Sequence, residues 1–285
     1  MTIDSSTAPQ SGLVTMAGRT YAVERDFGRQ PSDIALARVS QVAVDSLGDV
    51  HVLRRGEPPV LVFDADGAFL RSYGQGEIFD SHGVSIDNAD RVWIADRDAH
   101  QTVVFNLKGE VLMRIGDRDV PRWMAPFNHP TRAAVAPDGE IYVADGYGNA
   151  QIHRFSPEGE WRASFGKLGQ GPGEFMTPHS IIVDRQGRLL VCDRENDRVQ
   201  LFDRDGRWLA EWRGLCRPMD LCERDDGVIL VTDQVPSVNA FAPDGERIGR
   251  GRPSLNGPHG IALGRAGEIY LAEIDPSFVT KLTPC

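Results

Sequence analysis

Three of the seven histidines in this 285-residue chain, His82, His179 and His259, occupy equivalent places in alternate copies of an internal repeat. If six copies close into a ring, that phase sets them about 120° apart, all aimed at one axis. Three neutral imidazoles converging on a point, with a fourth position open, is how proteins build catalytic metal sites. Zinc (Zn2+) is the default ion for such ligands, and Fe2+, Co2+ or Mn2+ fit the same set. Any one of the three alone would read as a channel-lining side chain that bonds a carbonyl; the shared phase singles out the trio. His51, His100, His129 and His153 lack that phase and are expected to be structural.

A second set of residues follows the second strand of each repeat, where the chain crosses the same face. It reads Arg54-Arg-Gly-Glu57, Asp96-Arg-Asp98, Asp145-Gly-Tyr147, Asp193-Arg-Glu195, Asp233-Gln-Val235 and Glu273-Ile-Asp275. The recurring acid is expected to tie down the neighbouring blade by hydrogen bonding. The residues after it vary, as side chains aimed at a ligand do, and Arg55, Tyr147 and Arg194 stand out. Arginine is the natural fork for a substrate carboxylate. A tyrosine beside an arginine and a divalent cation can serve as a base. Each of the three reads equally well as a surface or inter-blade contact.

These placements rest on the repeat. Each copy opens with an apolar strand, a turn and a second apolar strand, as in Val84-Ser-Ile-Asp-Asn-Ala-Asp-Arg-Val-Trp-Ile-Ala-Asp96. With Asp45, Asp87, Ala136, Asp184, Arg224 and Gly264 equivalent, the steps are 42, 49, 48, 40 and 40 residues. A second turn, such as Asp64-Ala-Asp-Gly67 or Asp203-Arg-Asp-Gly206, leads to fourth strands at Phe69–Tyr73, Val111–Ile115, Trp161–Phe165 and Trp208–Trp212. Gly and Asp supply the positive φ and local side-chain bonds that such hairpins need. Four strands at this period predict an all-β, six-bladed β-propeller. The channel-mouth residues of its six innermost strands are then Ser40, His82, Thr131, His179, Met219 and His259.

The sixth copy stops after its third strand, and Tyr21–Arg25 has the missing fourth-strand character. It is expected to complete blade six and close the ring, which removes exposed edges. Residues 19–285 thus read as one domain, and 1–18 as a disordered tail. The segments 118–127 and 167–176 lengthen the loops that lead into two mouth positions. They are expected to be either substrate-selecting rims or ordinary surface loops.

A net charge of −10 argues against nucleic acid or an anionic membrane as partner. No apolar stretch reaches the length of a membrane span. The first ten residues lack the basic start and apolar core of a signal peptide. The four cysteines have no C-x-x-C spacing, and Cys192 and Cys222 read as strand core residues. A reduced, cytoplasmic protein follows as the expectation, with monomer as the default state.

The repeats resemble NHL repeats, as in Asp193-Arg-Glu-Asn-Asp-Arg-Val-Gln-Leu-Phe202. The phrases Ser81-His-Gly-Val-Ser-Ile-Asp87, Ala144-Asp-Gly-Tyr-Gly-Asn149, Pro178-His-Ser180, Cys192-Asp-Arg-Glu-Asn196 and Pro258-His-Gly260 resemble peptidyl-α-hydroxyglycine α-amidating lyase (peptidylamidoglycolate lyase) from about Val42 onward. The resemblance implies a catalytic zinc on His82, His179 and His259. It implies a base at Tyr147 on the substrate hydroxyl, Arg194 beside that tyrosine, and Arg55 in the substrate site. In that family an Asp directly after the last zinc histidine helps hold a structural calcium; here the position is Gly260, which puts Ca2+ in doubt. The family's partner copper monooxygenase domain, secretory signal and paired cysteines are not recognisable in this sequence.

The resemblance implies cleavage of the C–N bond of an N-acyl hemiaminal, giving an amide and an aldehyde such as glyoxylate. The partner is then a small-molecule or peptide-like substrate bearing a carboxylate. Rival readings are another channel-site metalloenzyme, a hydro-lyase or a hydrolase/lactonase, and a non-catalytic NHL propeller that binds a protein or peptide.

Overall fold

The computed structural model describes residues 12–35, 37–254, 257–275 and 277–285. It consists of six antiparallel sheets around one axis. The strands are β1 (Gly12–Met16) and β2 (Arg19–Glu24), then β3 (Arg38–Val44), β4 (Val50–Arg55), β5 (Val60–Phe63) and β6 (Phe69–Tyr73) of blade one. Blade two holds β7 (Ser81–Ile86), β8 (Val92–Asp96), β9 (Gln101–Phe105) and β10 (Val111–Ile115). Blade three holds β11 (Arg132–Val135), β12 (Ile141–Asp145), β13 (Gln151–Phe155) and β14 (Trp161–Phe165). Blade four holds β15 (Pro178–Val183), β16 (Leu189–Asp193), β17 (Arg198–Phe202) and β18 (Trp208–Trp212). Blade five holds β19 (Pro218–Glu223), β20 (Ile229–Asp233), β21 (Ser237–Phe241) and β22 (Arg247–Gly251). Blade six holds β23 (Pro258–Leu263), β24 (Ile269–Glu273) and β25 (Phe278–Pro284).

The ring closes as the sequence predicts: β2 pairs with β25, Tyr21 opposite Pro284 and Glu24 opposite Lys281. The sheet then continues one strand further, because β1 pairs with β2 through the turn at Ala17 and Gly18. The ordered sheet therefore begins at Gly12, not at residue 19. The rest of the expected tail, residues 1–11, lies outside the described residues. Among the described residues, no helix is long and apolar enough to cross a membrane.

The repeat folds this way because its polar residues fix the turns. The Asp45 carboxylate accepts the backbone N–H groups of Leu47 and Asp49, Asp87 those of Ala89 and Arg91, and Asp184 those of Gln186 and Arg188. Each is a side-chain-capped turn between first and second strands. Asp64, Asn106 and Asp203 do the same for the outer hairpins. The apolar strand faces then pack blade against blade. Six clusters form the core, one per interface; between blades one and two, for instance, Leu53, Val60 and Tyr73 meet Val84, Ile94 and Phe105.

The acid that ends the second strand of blades two, three and four behaves differently from expectation. Asp96 accepts the N–H groups of Phe79 and Asp80, Asp145 that of Asn128, and Asp193 that of Met176. These donors lie on the loop entering the same blade, so the carboxylate fixes that loop and does not reach into the neighbouring blade. His51 and His153 share in this buried scaffolding, the former between Tyr73 and Asp45, the latter between Ser164 and Asp145.

Candidate metal centre and active site

The innermost strands do more than line the channel. Each of β3, β7, β15, β19 and β23 slips register by one residue near its start, between Ser81 and Gly83 in β7, for example. The skipped residues are Ser40, His82, His179, Met219 and His259. Such a bulge sets two residues opposite one and re-aims the side chain. Here it turns the mouth residues toward the axis.

The three histidine rings meet there. Their centroids are 4.8 Å (His82–His179), 5.1 Å (His82–His259) and 4.7 Å (His179–His259) apart, a nearly equilateral triangle. All three are buried. One nitrogen from each lies within 4.8 Å of the other two, and this is the one such group of potential metal ligands among the described residues. The remaining mouth residues hold the rings. Nδ1 of His82 donates to the Thr131 carbonyl at 2.9 Å, that of His179 to Met219 at 2.7 Å, and that of His259 to Ser40 at 2.6 Å. A carbonyl only accepts, so Nδ1 carries the proton and Nε2 presents its lone pair; this is how metal-ligating histidines are oriented. Gly83 permits the approach, because a Cβ there would meet the Thr131 oxygen at 2.2 Å.

Burial, helped by the neighbouring His259, pushes His82 and His179 well below the ordinary histidine range. Burial takes His259 down to about 3. The imidazoles are therefore neutral, as ligands must be. The His179 Nε2 is buried with no hydrogen-bond partner among the described residues. An orphaned buried acceptor aimed at two other imidazoles fits a divalent transition metal.

The Tyr147 hydroxyl lies 3.1 Å from His82 Nε2 and accepts a hydrogen bond from Arg194 Nη1 at 3.0 Å. Its ring stands edge-on to His82 and His179. The Arg194 guanidinium carbon sits 5.2 Å from the ring centroid, that of Arg97 5.4 Å. Arg55 ends β4 and faces Asp80, with Nε 3.6 Å from the carboxylate, and its charge acts on Tyr147, His82 and His259. The adjacent Arg54 points the other way: it is buried and donates to the Ala35, Glu57 and Pro58 carbonyls. The structure thus brings all six sequence-predicted residues to one place. It adds Arg97 and Asp80, whose Nη2 and Oδ2 are 2.6 Å apart. Arg97 follows Asp96 as Arg194 follows Asp193, which is the signal in the sequence that marks it.

Of the remaining histidines, His100 and His129 pair edge-to-face at 4.4 Å beside this site, and the His129 N–H donates to His100 Nδ1. On the opposite side of the trio, a cavity of about 380 Å³ is lined by Met219, Gln234, Gly257, Ile274 and Asp275. A second cavity of about 400 Å³, at the far ends of β7, β11 and β15, contains none of the histidines.

Directly beneath the histidines, the next residue of each blade forms a second layer: Gln41, Gly83, Arg132, Ser180, Asp220 and Gly260. The Asp220 carboxylate is fully buried and paired with Arg132. It also accepts from Ser180 at 2.6 Å, Gln41 at 2.9 Å and the Ile261 N–H at 2.8 Å. Burial lowers the Arg132 guanidinium to about 10, which leaves it charged at neutral pH. A calcium site needs several free oxygen ligands; this layer has one carboxylate, already neutralised by an internal cation. At Gly260 a Cβ would meet Gln41 Oε1 at 1.7 Å, so the Gln41 side chain stands where the Asp that the resemblance would put there would begin. The layer does not fit calcium.

The chain is similar to several known proteins. A family model described as a 6-bladed beta-propeller matches residues 132–229. Human NHL repeat-containing protein 3 is 31% identical over 85% of this chain and 78% of its own length. The mouse protein of that name is 34% identical over 72% of this chain, which spans 59% of its length. The Drosophila melanogaster protein named peptidyl-alpha-hydroxyglycine alpha-amidating lyase 1 is 33% identical over 76% of this chain and 47% of its own length. Among solved structures, a streptogramin B lyase superposes with a TM-score of 0.70 over 93% of this chain and 98% of that one, at 13% identity, a likeness of fold. With its closed ring, its repeats and these relatives, the chain belongs to the NHL-repeat six-bladed β-propeller family, whose members include proteins named as NHL repeat-containing protein 3 and as peptidyl-α-hydroxyglycine α-amidating lyases.

Proposed function

We propose that this propeller is a metal-dependent lyase that cleaves the C–N bond of a carboxylate-bearing N-acyl hemiaminal, releasing an amide and an aldehyde such as glyoxylate. The observation that carries this reading is the chain from Arg194 through the Tyr147 hydroxyl to His82 Nε2, set over three histidines whose Nδ1 protons are fixed. The lyase-named relatives favour it over a purely binding propeller. His82, His179 and His259 would hold the ion, zinc by donor set, and a bound divalent ion would supply Lewis acidity there.

The rest of the chemistry belongs to the side chains. The Tyr147 oxygen collects the proton of the substrate hydroxyl, and the Arg194 N–H steadies the charge this oxygen carries before the transfer. As the carbonyl forms, the electron pair of the C–N bond passes to nitrogen. Nitrogen then takes up the proton that Tyr147 holds, and the tyrosine is restored. Arg55 anchors the carboxylate beside the reacting carbon. The cavity between Met219 and Ile274 receives the acyl group.

The test is aldehyde release from N-benzoyl-α-hydroxyglycine by purified protein. Wild type is expected to release glyoxylate, and Tyr147→Phe to lose about 10²- to 10⁴-fold in kcat, the range for removing a positioned acid–base group. No release by metal-loaded wild type, or full activity in Tyr147→Phe, overturns the reading.

A further inference from the structure

Arg97 and Asp80 belong to the site geometrically but have no part in the reaction as written above. Asp80 stands between two arginines. Its Oδ1 faces Arg55 Nε at 3.6 Å and its Oδ2 faces Arg97 Nη2 at 2.6 Å. The strut is rigid, because the Asp80 N–H donates to Asp96 at 2.8 Å and the Asp80 carbonyl accepts the Arg97 N–H at 2.9 Å. Asp98 holds the Arg97 fork from its other edge, through Nε at 2.8 Å. The Arg97 guanidinium is further located over the Tyr147 ring.

The donors left over point to a ligand. Arg55 Nε is buried without a hydrogen-bond partner, and neither Arg55 Nη nor Arg97 Nη1 makes a hydrogen bond among the described residues. The two guanidinium groups are each about a quarter exposed, and Asp80 between them is the more buried group. One carboxylate thus spans both arginines from beneath, one oxygen to each. The Nη donors of Arg55 and the Nη1 donor of Arg97 remain for a second carboxylate arriving from solvent. Guanidinium–carboxylate hydrogen bonds to such a ligand would be charge-assisted.

We propose that Arg55 and Arg97 form a two-armed clamp for the substrate carboxylate, with Asp80 as the strut that sets their separation. The clamp rests on the lyase reading only for the identity of the ligand. It makes Arg97 a substrate-binding residue and selects α-carboxylated hemiaminals over neutral ones.

Isothermal calorimetry with N-acetylglycine, an unreactive carboxylate with the substrate skeleton, and its neutral counterpart N-acetylglycinamide tests this. Wild type is expected to bind the carboxylate at least 10-fold tighter than the amide. Arg97→Gln is expected to weaken N-acetylglycine binding about 10- to 100-fold, the range for a charge-assisted hydrogen bond, and to leave N-acetylglycinamide unchanged. Arg97→Lys keeps the charge and the Asp80 pairing without the fork; with an unchanged melting temperature it is expected to lose at least 5-fold. In turnover, Arg97→Gln raises KM more than it lowers kcat. Equal binding of both ligands by wild type, no binding of either, or an equal loss for both in Arg97→Gln overturns the clamp. Carboxylate preference that depends on Arg97 without glyoxylate release leaves the clamp standing and sinks the lyase reading. Glyoxylate release with an unchanged KM in Arg97→Gln does the reverse.

Discussion

Removing Asp220 tests whether an internal ion pair holds the channel together beneath the histidines. The carboxylate is fully buried and Arg132 has a side chain 10% exposed. In Asp220→Ala the Arg132 cation loses its partner, and the donors of Ser180, Gln41 and Ile261 lose their acceptor. Breaking a buried pair by deleting one member costs about 3–5 kcal/mol, because the other charge stays behind. At about 2–4 °C per kcal/mol, a loss near ~4 kcal/mol lowers the melting temperature by roughly 8–16 °C. Arg132→Met is the milder change, since three hydrogen-bond donors still face the Asp220 carboxylate, and about 1–3 kcal/mol is expected. The double variant should cost less than the sum, with coupling of about 2 kcal/mol. Urea denaturation followed by tryptophan fluorescence measures all three. An Asp220→Ala loss below about 1 kcal/mol, or an Arg132→Met loss equal to it, would refute the internal-ion reasoning. So would a melting temperature that rises when calcium is added to wild type.

Two further outcomes follow from the same geometry. Gly260→Ala should destabilise by about 1–3 kcal/mol, because its Cβ enters Gln41; a neutral result in thermal denaturation contradicts the packing of that layer. The Arg224 guanidinium bonded to Asp226 holds its carboxyl down to about 2, from an ordinary 3.8. A depressed acid stabilises the fold above its unfolded value and loses that contribution as pH falls through the folded one. Asp226→Asn should therefore cost stability at pH 5, and the gap should close between about pH 4 and pH 2. The side chain is 38% exposed, so the cost stays below about 1 kcal/mol; urea midpoints that show no pH dependence of the gap contradict it.

Much of this molecule was legible in its sequence because a propeller writes one blade many times. The four outer strands read from the repeat, Phe69–Tyr73, Val111–Ile115, Trp161–Phe165 and Trp208–Trp212, are the observed ones. The histidine trio is legible for the same reason, since equal register in each blade means convergence on the axis. Three things were not legible. The Arg132–Asp220 layer takes its two charged members and their polar partners from different blades, so no charged residue recurs at that position to announce it. The β1 strand was read as tail because its partners lie at both ends of the chain: it pairs with β2 and rests on β22, where Gly249 and Gly251 leave space for Ala17 and Met16. Arg97 and Asp80 lie 17 residues apart, one step beyond the Ser81–Asp96 pair that ends the β7–β8 ladder. Position in a repeat predicts direction, but it does not predict which charged neighbours meet.

Metal analysis by plasma emission most directly tests the three-histidine centre, on protein purified without a metal-affinity tag, wild type beside His179→Ala. About one divalent transition metal per chain in wild type, zinc by the donor set, and a loss of most of it in the variant is the expected result. A wild type that carries none and takes up none on soaking, or a variant that keeps a full complement, would contradict the metal centre and with it the lyase.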